Sequence, residues 1–454
     1  MKRKIVVLGG GISGYGSAIL AKKKGFDTFL TDMGTIAPKF RERLDEWGVE
    51  YEEGGHTEER ILDANEVIKS PGIPDTAPIV RKIRERGIPV ISEIEFAARY
   101  KGVAKTICIT GSNGKTTTTS LIYKIMKDAG RAVSLGGNIG ESFAYSVATG
   151  KYFWHVLELS SFQLDGCFKF RADVGVLMNI TPDHLDRYDY KLENYALSKM
   201  RITQNQTSND AFIYSADDAQ TQLMLDKMDS SLRARQLPFS INTAIASGDG
   251  DAVLEGHTFT ATVGRRSVCI DTRKMRINGM HNIYNAMAAA LATLAAGVDS
   301  KVIKRSIYEF SPVEHRLEPA GDRDDIQWIN DSKATNVDSV WYALESMTRP
   351  TVWIAGGTDK GNDYEPLKEF ARRKVKALVC MGVDNSKLVR EFTGIIPVIR
   401  DCNTFDEAMQ AARECATSGD AVLLSPACAS FDLFRNYEDR GRLFKEWVAQ
   451  NVLK

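Results

Sequence analysis

None of the seven cysteines (108, 167, 269, 380, 402, 415 and 428) stands in a C-x-x-C pair, and several sit in apolar runs where they read as small core hydrophobes. Structural zinc and a disulfide framework are therefore not expected. The chain also lacks net charge: 59 Lys and Arg balance 59 Asp and Glu, so no global field recruits nucleic acid or an anionic membrane. Small-molecule partners are expected instead. Long hydrophobic runs are missing as well. Behind Met1-Lys2-Arg3-Lys4 only Ile5 to Leu8 are apolar before glycines begin, too short for a signal segment or a membrane span, so a cytoplasmic protein is expected. There is no low-complexity tract and no repeat period of roughly 20 to 50 residues. With 454 residues one core is too few, and about 150 residues per domain gives roughly three.

What the chain does have is alternation. Residues 1–92 alternate short strands (Ile5 to Leu8, Thr28 to Asp32, Glu66 to Lys69) with helical stretches such as Gly14 to Lys24, which predicts an α/β unit with a parallel sheet. Within it Gly9, Gly11 and Gly14 give G-x-G-x-x-G and Asp32 closes the second strand, a match to the dinucleotide-binding fingerprint. Glycines at such a turn also serve close helix packing. A second turn, Ser70-Pro71-Gly72-Ile73-Pro74, stands where a sheet-edge loop can touch a ligand. Residues 93–312 form a second unit, with strands at Trp154 to Leu159 and Ala172 to Met178, short β segments over 239–277 turning at Gly248 to Gly250 and at Gly264, and an alanine-rich helix from Asn282 to Leu294. Residues 313–454 alternate again, with strands at Thr351 to Ala355, Ala377 to Met381, Pro397 to Ile399 and Ala421 to Leu424. The expected fold class is α/β in three domains: N-terminal Rossmann-like, central P-loop ATPase-like and C-terminal Rossmann-like.

The most informative stretch is Thr110-Gly111-Ser112-Asn113-Gly114-Lys115-Thr116-Thr117, between an apolar strand (Thr106 to Ile109) and a helix opening near Thr117. Glycines let backbone N–H groups close on phosphate oxygens, Lys115 neutralises their charge, and Thr116 offers a hydroxyl to Mg²⁺. The chain is expected to bind ATP or GTP. Its first glycine arrives later than in the usual G-x-x-x-x-G-K-[ST] spacing. Glu158 ends an apolar strand, where a carboxylate is costly unless it meets a cation; that cation is Mg²⁺ or a salt-bridge partner. His184, in Asn179-Ile180-Thr181-Pro182-Asp183-His184, follows another apolar strand among carboxylate and amide neighbours and is read as a metal ligand. Lys199 lies on a helical segment and by composition is an exposed lysine. Asn138, on a glycine loop, suits a phosphate oxygen or an amide. Asn282 and Asn285 share the first turn of their helix, where they bond a base edge or cap it. His315-Arg316 and Asn330 to Asn336 flank the start of the third unit.

These motifs together resemble the Mur ligase family, ATP-dependent amide-forming enzymes of peptidoglycan synthesis that include folylpolyglutamate synthetases. T-G-x-N-G-K-T, L-E-x-S-S-F-Q, N-x-x-x-D-H-x-D-R, H-N-x-x-N and the H-R before the third unit stand in family order across nearly the whole chain. Asn330 to Asn336 and Ser425 to Asp432 are similar to the member adding D-glutamate to UDP-N-acetylmuramoyl-L-alanine through an acyl phosphate. The alternative is a sibling or a folylpolyglutamate synthetase-like ligase adding a different amino acid. A dehydrogenase built on Gly9 to Asp32 would leave the phosphate loop and Glu158 unexplained.

The resemblance implies site residues. ATP would lie on Gly111, Ser112, Asn113, Gly114, Lys115, Thr116 and Thr117, with Asn282, Asn285, Arg316 and Asp331. Two Mg²⁺ ions would be held by Thr116, Glu158, His184 and Lys199, the lysine being carbamylated into a carboxylate-like ligand, and Lys115, His184 and Lys199 would be catalytic. The UDP-sugar would take Gly11, Ile12, Ser13, Gly14, Asp32, Ser70, Gly72 and Asn138, with Gly9 to Gly14 holding a diphosphate instead of NAD. D-glutamate would take Lys333, Thr335, Ser430 and Tyr437. A monomer is expected. One departure concerns the uracil site: apolar Met33 follows Asp32, where a polar partner is expected.

Overall fold

The computed structural model describes residues 2–228, 232–242, 250–277, 279–311, 314–359 and 361–453. The chain divides into two compact units, Met1–Met275 with Tyr284–Phe310, and Arg276–Ile283 with Ser311–Lys454. Among the described residues the strands form three sheets, two in the first unit and one in the second.

The first sheet is parallel: β1 (Lys4–Leu8), β2 (Asp27–Asp32), β3 (Glu50–Glu53), β4 (Glu66–Lys69) and β5 (Val90–Ile91), ordered β3-β2-β1-β4-β5. Ile5, Val6, Val7 and Leu8 are all fully buried, the continuous apolar run demanded of a parallel strand covered on both faces. The order reverses beside β1, so a crevice opens at the carboxyl ends of β1 and β4, where the Gly9 to Gly14 and Ser70 to Pro74 turns lie.

The second sheet comprises β6 (Lys105–Thr110), β7 (Val133–Gly137), β8 (Trp154–Glu158), β9 (Val174–Leu177), β10 (Ala211–Ser215), β11 (Arg235–Ser240), β12 (Gly250–Glu255), β13 (Thr258–Val263) and β14 (Arg266–Asp271). Its order is β14-β13-β12-β11-β10-β9-β6-β8-β7, parallel from β12 to β7, with β12 to β14 an antiparallel meander. β6 is central and flanked by β8 and β9, so the loops after these three strands converge. The third sheet, in the second unit, comprises β15 (Glu318–Arg323), β16 (Ile326–Asn330), β17 (Thr351–Ala355), β18 (Val375–Met381), β19 (Val398–Cys402) and β20 (Ala421–Leu424) in the order β15-β16-β20-β17-β18-β19. β16 and β20 are parallel neighbours, which brings Asn330 beside Leu424 and their following loops together.

Several expected bounds shift. The helix after the glycine loop begins at Lys115, not near Thr117, because left-handed Gly114 turns the chain and serves as its N-cap. The alanine-rich helix spans Met280–Ala295, which moves Asn285 to its second turn. β19 runs later than the Pro397 to Ile399 estimate, since proline supplies no N–H for the ladder. The turn expected at Gly248 to Gly250 lies outside the described residues up to Gly250, and so does the 312/313 boundary. Among the described residues no helix is long and apolar enough to cross a membrane.

Candidate active site

In the first unit the glycine loop is stitched to the loop after β9. Ser112 N donates to Asn179 O (3.0 Å), Asn113 N to Asn179 Oδ1 (2.8 Å), and Ser112 Oγ to Thr181 O (2.8 Å). Thr116 and Thr117 open the helix that follows the loop and are buried. Gly114 is irreplaceable on two counts: its φ is +81°, and a Cβ there would come within 2.5 Å of Asn285 Oδ1. Asn285 is buried against this loop and also meets Thr118 Oγ1 at 3.2 Å, so it neither caps its helix nor sits in its first turn.

Two lysines converge on one carbonyl oxygen. Lys115 Nζ donates to Gly111 O (2.7 Å) and Ser112 O (2.8 Å), and Lys199 Nζ donates to Gly111 O (2.9 Å). Lys199 is not the exposed lysine its helix suggests: it is 1% exposed, and its ammonium lies 4.2 Å from the Tyr195 ring centroid. Burial first, and then the charge of Lys115, push its amine well below the ordinary lysine range; Asp183, Asp165 and Glu158 pull the other way. Asp183 and Asp165 were not singled out in the sequence, although Asp183 stands inside the motif that pointed to His184.

Glu158, 1% exposed at the end of β8, accepts from Asn138 Nδ2 on Oε1 (2.9 Å), while its buried Oε2 has no partner among the described residues. A buried carboxylate oxygen left open is costly unless a cation arrives. It is thus not the salt-bridged alternative. His184 has left-handed backbone (φ +52°); its Nε2 lies 3.7 Å from Asp183 Oδ2 and its ring stands edge-on to Phe162.

A cleft of about 920 Å³ opens at the crevice of the first sheet. Gly9, Gly11, Ile12, Ser13, Asp32, Ser70, Gly72 and Asn138 line it, as do Met33, His56 and Glu58. Gly14 is not among the lining residues. A Cβ on Gly14 would sit 1.7 Å from Gly9 O, so this glycine allows the helix to pack on the turn. Asp32 spends both oxygens on backbone, accepting from Gly10 N (2.5 Å) and Gly34 N (2.7 Å).

In the second unit Asp331 is buried, with Oδ2 accepting from Ser425 Oγ (2.8 Å) and Oδ1 from Leu317 N (3.2 Å). Burial pushes its carboxyl up to about 7, opposed by the Arg316 guanidinium. Arg316 Nε is itself buried with no partner among the described residues. Asn282 begins the alanine-rich helix in its first turn, its N–H donating to Gly279 O. Lys333 Nζ lies 5.3 Å from the Tyr437 ring centroid. Its N–H donates to His315 O, and Thr335 N donates to Lys333 O. Ser430 is buried on the facing loop after β20.

Sequence reasoning missed Arg440, which is fully buried and fastens these two loops: Nε and Nη2 donate to Ser332 Oγ (3.0 Å) and Ser332 O (2.9 Å), and Nη2 reaches Cys428 O (3.4 Å). An arginine on a charged amphipathic helix carries no local signal of burial.

Three family models match the chain in order: the Mur ligase MurD-like N-terminal domain over residues 3–92, the Mur ligase middle domain over 109–293, and the Mur ligase glutamate ligase domain over 315–428. A protein of Bacteroides fragilis called UDP-N-acetylmuramoylalanine--D-glutamate ligase is 52% identical over 449 residues, 99% of this chain and 100% of that protein. One of the same name from Christiangramia forsetii is 51% identical and covers 99% of each. In fold the chain is similar to a UDP-N-acetylmuramate-alanine ligase MurC from Thermotoga maritima, with a TM-score of 0.62 at 17% identity over 99% of this chain and all of that one. With matched domains running from residue 3 to residue 428 and full-length relatives half identical to it, this chain belongs to the Mur ligase family.

Proposed function

We propose that this chain is an ATP-dependent ligase that joins D-glutamate to UDP-N-acetylmuramoyl-L-alanine in peptidoglycan precursor synthesis, releasing ADP and phosphate, in the cytoplasm. The observation that carries this reading is the 52% identity, from end to end, to a protein of that name. The geometry is consistent with it. A carboxylate and an amine do not condense in water without activation, so the alanyl carboxylate attacks the γ-phosphorus of ATP and ADP leaves. The amine of D-glutamate then attacks the acyl carbon, and phosphate departs from the tetrahedral intermediate as the amide forms.

On this reading Lys115 and the amides of Gly111 to Thr117 hold the phosphates, and Lys115 offsets charge on the transferring group. Asn285, Asn282, Arg316 and Asp331 orient the nucleotide. The buried open oxygen of Glu158 and the Thr116 hydroxyl are hard donors that fit Mg²⁺, with His184 and Lys199 assigned to a second ion. Bound there, Mg²⁺ would supply positive charge to the phosphate and acceptor-carboxylate oxygens. An amine held neutral by burial attacks CO₂ and loses a proton, so Lys199 is suited to become a carbamate. The cleft takes the UDP-sugar, with its diphosphate on the Gly9 to Gly14 turn and Asn138 orienting the acceptor. Lys333, Thr335, Ser430 and Tyr437 take the D-glutamate carboxylates. The corresponding domains are 1–92, 93–312 and 313–454. The test is ADP release with UDP-N-acetylmuramoyl-L-alanine across a panel of amino acids. D-glutamate alone should support turnover, and a preference for another amino acid would refute the assignment.

A further inference from the structure

We infer that His56 reads the pyrimidine base of the nucleotide-sugar, its Nε2 accepting a hydrogen bond from the ring N3–H. This rests on the UDP-sugar reading of the cleft. If the diphosphate lies on the Gly9 to Gly14 turn and the reacting end lies at Asn138, which is bonded to Glu158, the nucleoside falls to the remaining wall. That wall is built by the loops after β2 and β3, on the side of β1 away from β4: Asp32, Met33, Gly55, His56 and Glu58.

Polar recognition there narrows quickly. Both Asp32 oxygens are taken by the Gly10 and Gly34 amides, and Met33 is apolar and 64% exposed. The Glu58 carboxylate is paired with Lys82 Nζ at 2.6 Å. His56 Nδ1 lies 2.6 Å from Thr31 Oγ1, and that hydroxyl lies 3.2 Å from Gly55 O. A carbonyl oxygen can only accept, so the Thr31 hydroxyl donates to Gly55 and must receive the Nδ1–H of His56. The tautomer follows: Nε2 carries a lone pair. Uracil presents N3–H, a donor, between two carbonyls, whereas cytosine presents a bare acceptor nitrogen at the same position. A fixed ring acceptor therefore distinguishes the two bases and supplies the polar partner absent at position 33.

The test compares the UDP-substrate with its N3-methyl analogue, by ADP release, in wild-type enzyme and in His56→Ala, His56→Gln and His56→Phe. Wild type should show a KM about tenfold higher for the N3-methyl substrate, equivalent to about 1.4 kcal/mol. His56→Ala and His56→Phe should raise the KM for the parent substrate by a similar factor and lose the preference for N3–H. His56→Gln, which keeps an acceptor, should retain part of it. The KM values for ATP and D-glutamate should move less than about twofold on the same grounds. A wild-type enzyme indifferent to N3-methylation, or a His56→Ala enzyme that keeps the preference, overturns the inference. Calorimetric binding of UDP and N3-methyl-UDP to wild type decides the matter even if a variant fails to fold. Absence of wild-type turnover with the parent substrate would instead reject the ligase reading itself.

Discussion

In the first unit Lys115 and Lys199 crowd a single carbonyl oxygen while the nearby Glu158 keeps an oxygen without a partner. In the second unit buried Arg440 is matched by Ser332 and Cys428, and Asp331 by Ser425 and Leu317 N. The same currency of buried charge is used for different ends: the first arrangement leaves electrostatic demand to be met by a ligand, and the second spends its charges holding two loops in register. Substitutions in the first should therefore be felt in catalysis, and substitutions in the second in substrate affinity and stability.

The largest effect is expected from Lys115→Ala. Removing one charge from the transferring phosphoryl group should lower kcat about a hundred- to thousandfold with a Tm close to wild type. Activity within a few-fold of wild type would show that the crowded lysines are structural and erase the contrast. Lys199→Ala should lose nearly as much, and short-chain carboxylic acids should restore part of it by standing in for a carbamate. Rescue by an amine instead would mean that a cation is required there. In the second unit Lys333→Ala should raise the KM for D-glutamate by about 10- to 150-fold, the equivalent of about 1.5 to 3 kcal/mol, with a much smaller change for ATP. Equal effects on all three substrates would make Lys333 a loop-shaping residue like Arg440.

The smallest effect concerns pH. The Asp331 carboxyl stands at about 7, raised by burial from an ordinary 3.8. Between those values the folded chain holds a proton that the unfolded chain has released. Its contribution is therefore fully present below the unfolded value and is lost as pH rises through the folded one. The slope is at most about 1.4 kcal/mol per pH unit. The stability difference between wild type and Asp331→Asn, followed by urea denaturation, should accordingly fall from about pH 4 to about pH 7. A pH-independent difference would show that Asp331 is ionised throughout.

Sequence patterns reached the sheets and the glycine loop because their signals are local: a buried parallel strand is a continuous apolar run, and a phosphate-type turn is a run of glycines before a helix. Glu158 was legible for the same reason, as a charge at the end of an apolar strand. Lys199 was not. Its burial depends on Gly111 O, 88 residues away in sequence, and on the Tyr195 ring, and its own helix shows only mixed polarity. Asp32 was placed correctly at the end of β2, but the two backbone amides that occupy it could not be seen without the fold. Arg440 was invisible because what it fastens comes from two other segments of the chain.

The hydrogen bond from Asn138 to Glu158 joins the wall of the cleft to the carboxylate at the foot of the glycine loop. On the proposed reading it gives the two substrates a common intermediary, so that whatever free energy the occupied cleft lends to nucleotide binding, the bound nucleotide must return to the cleft in equal measure.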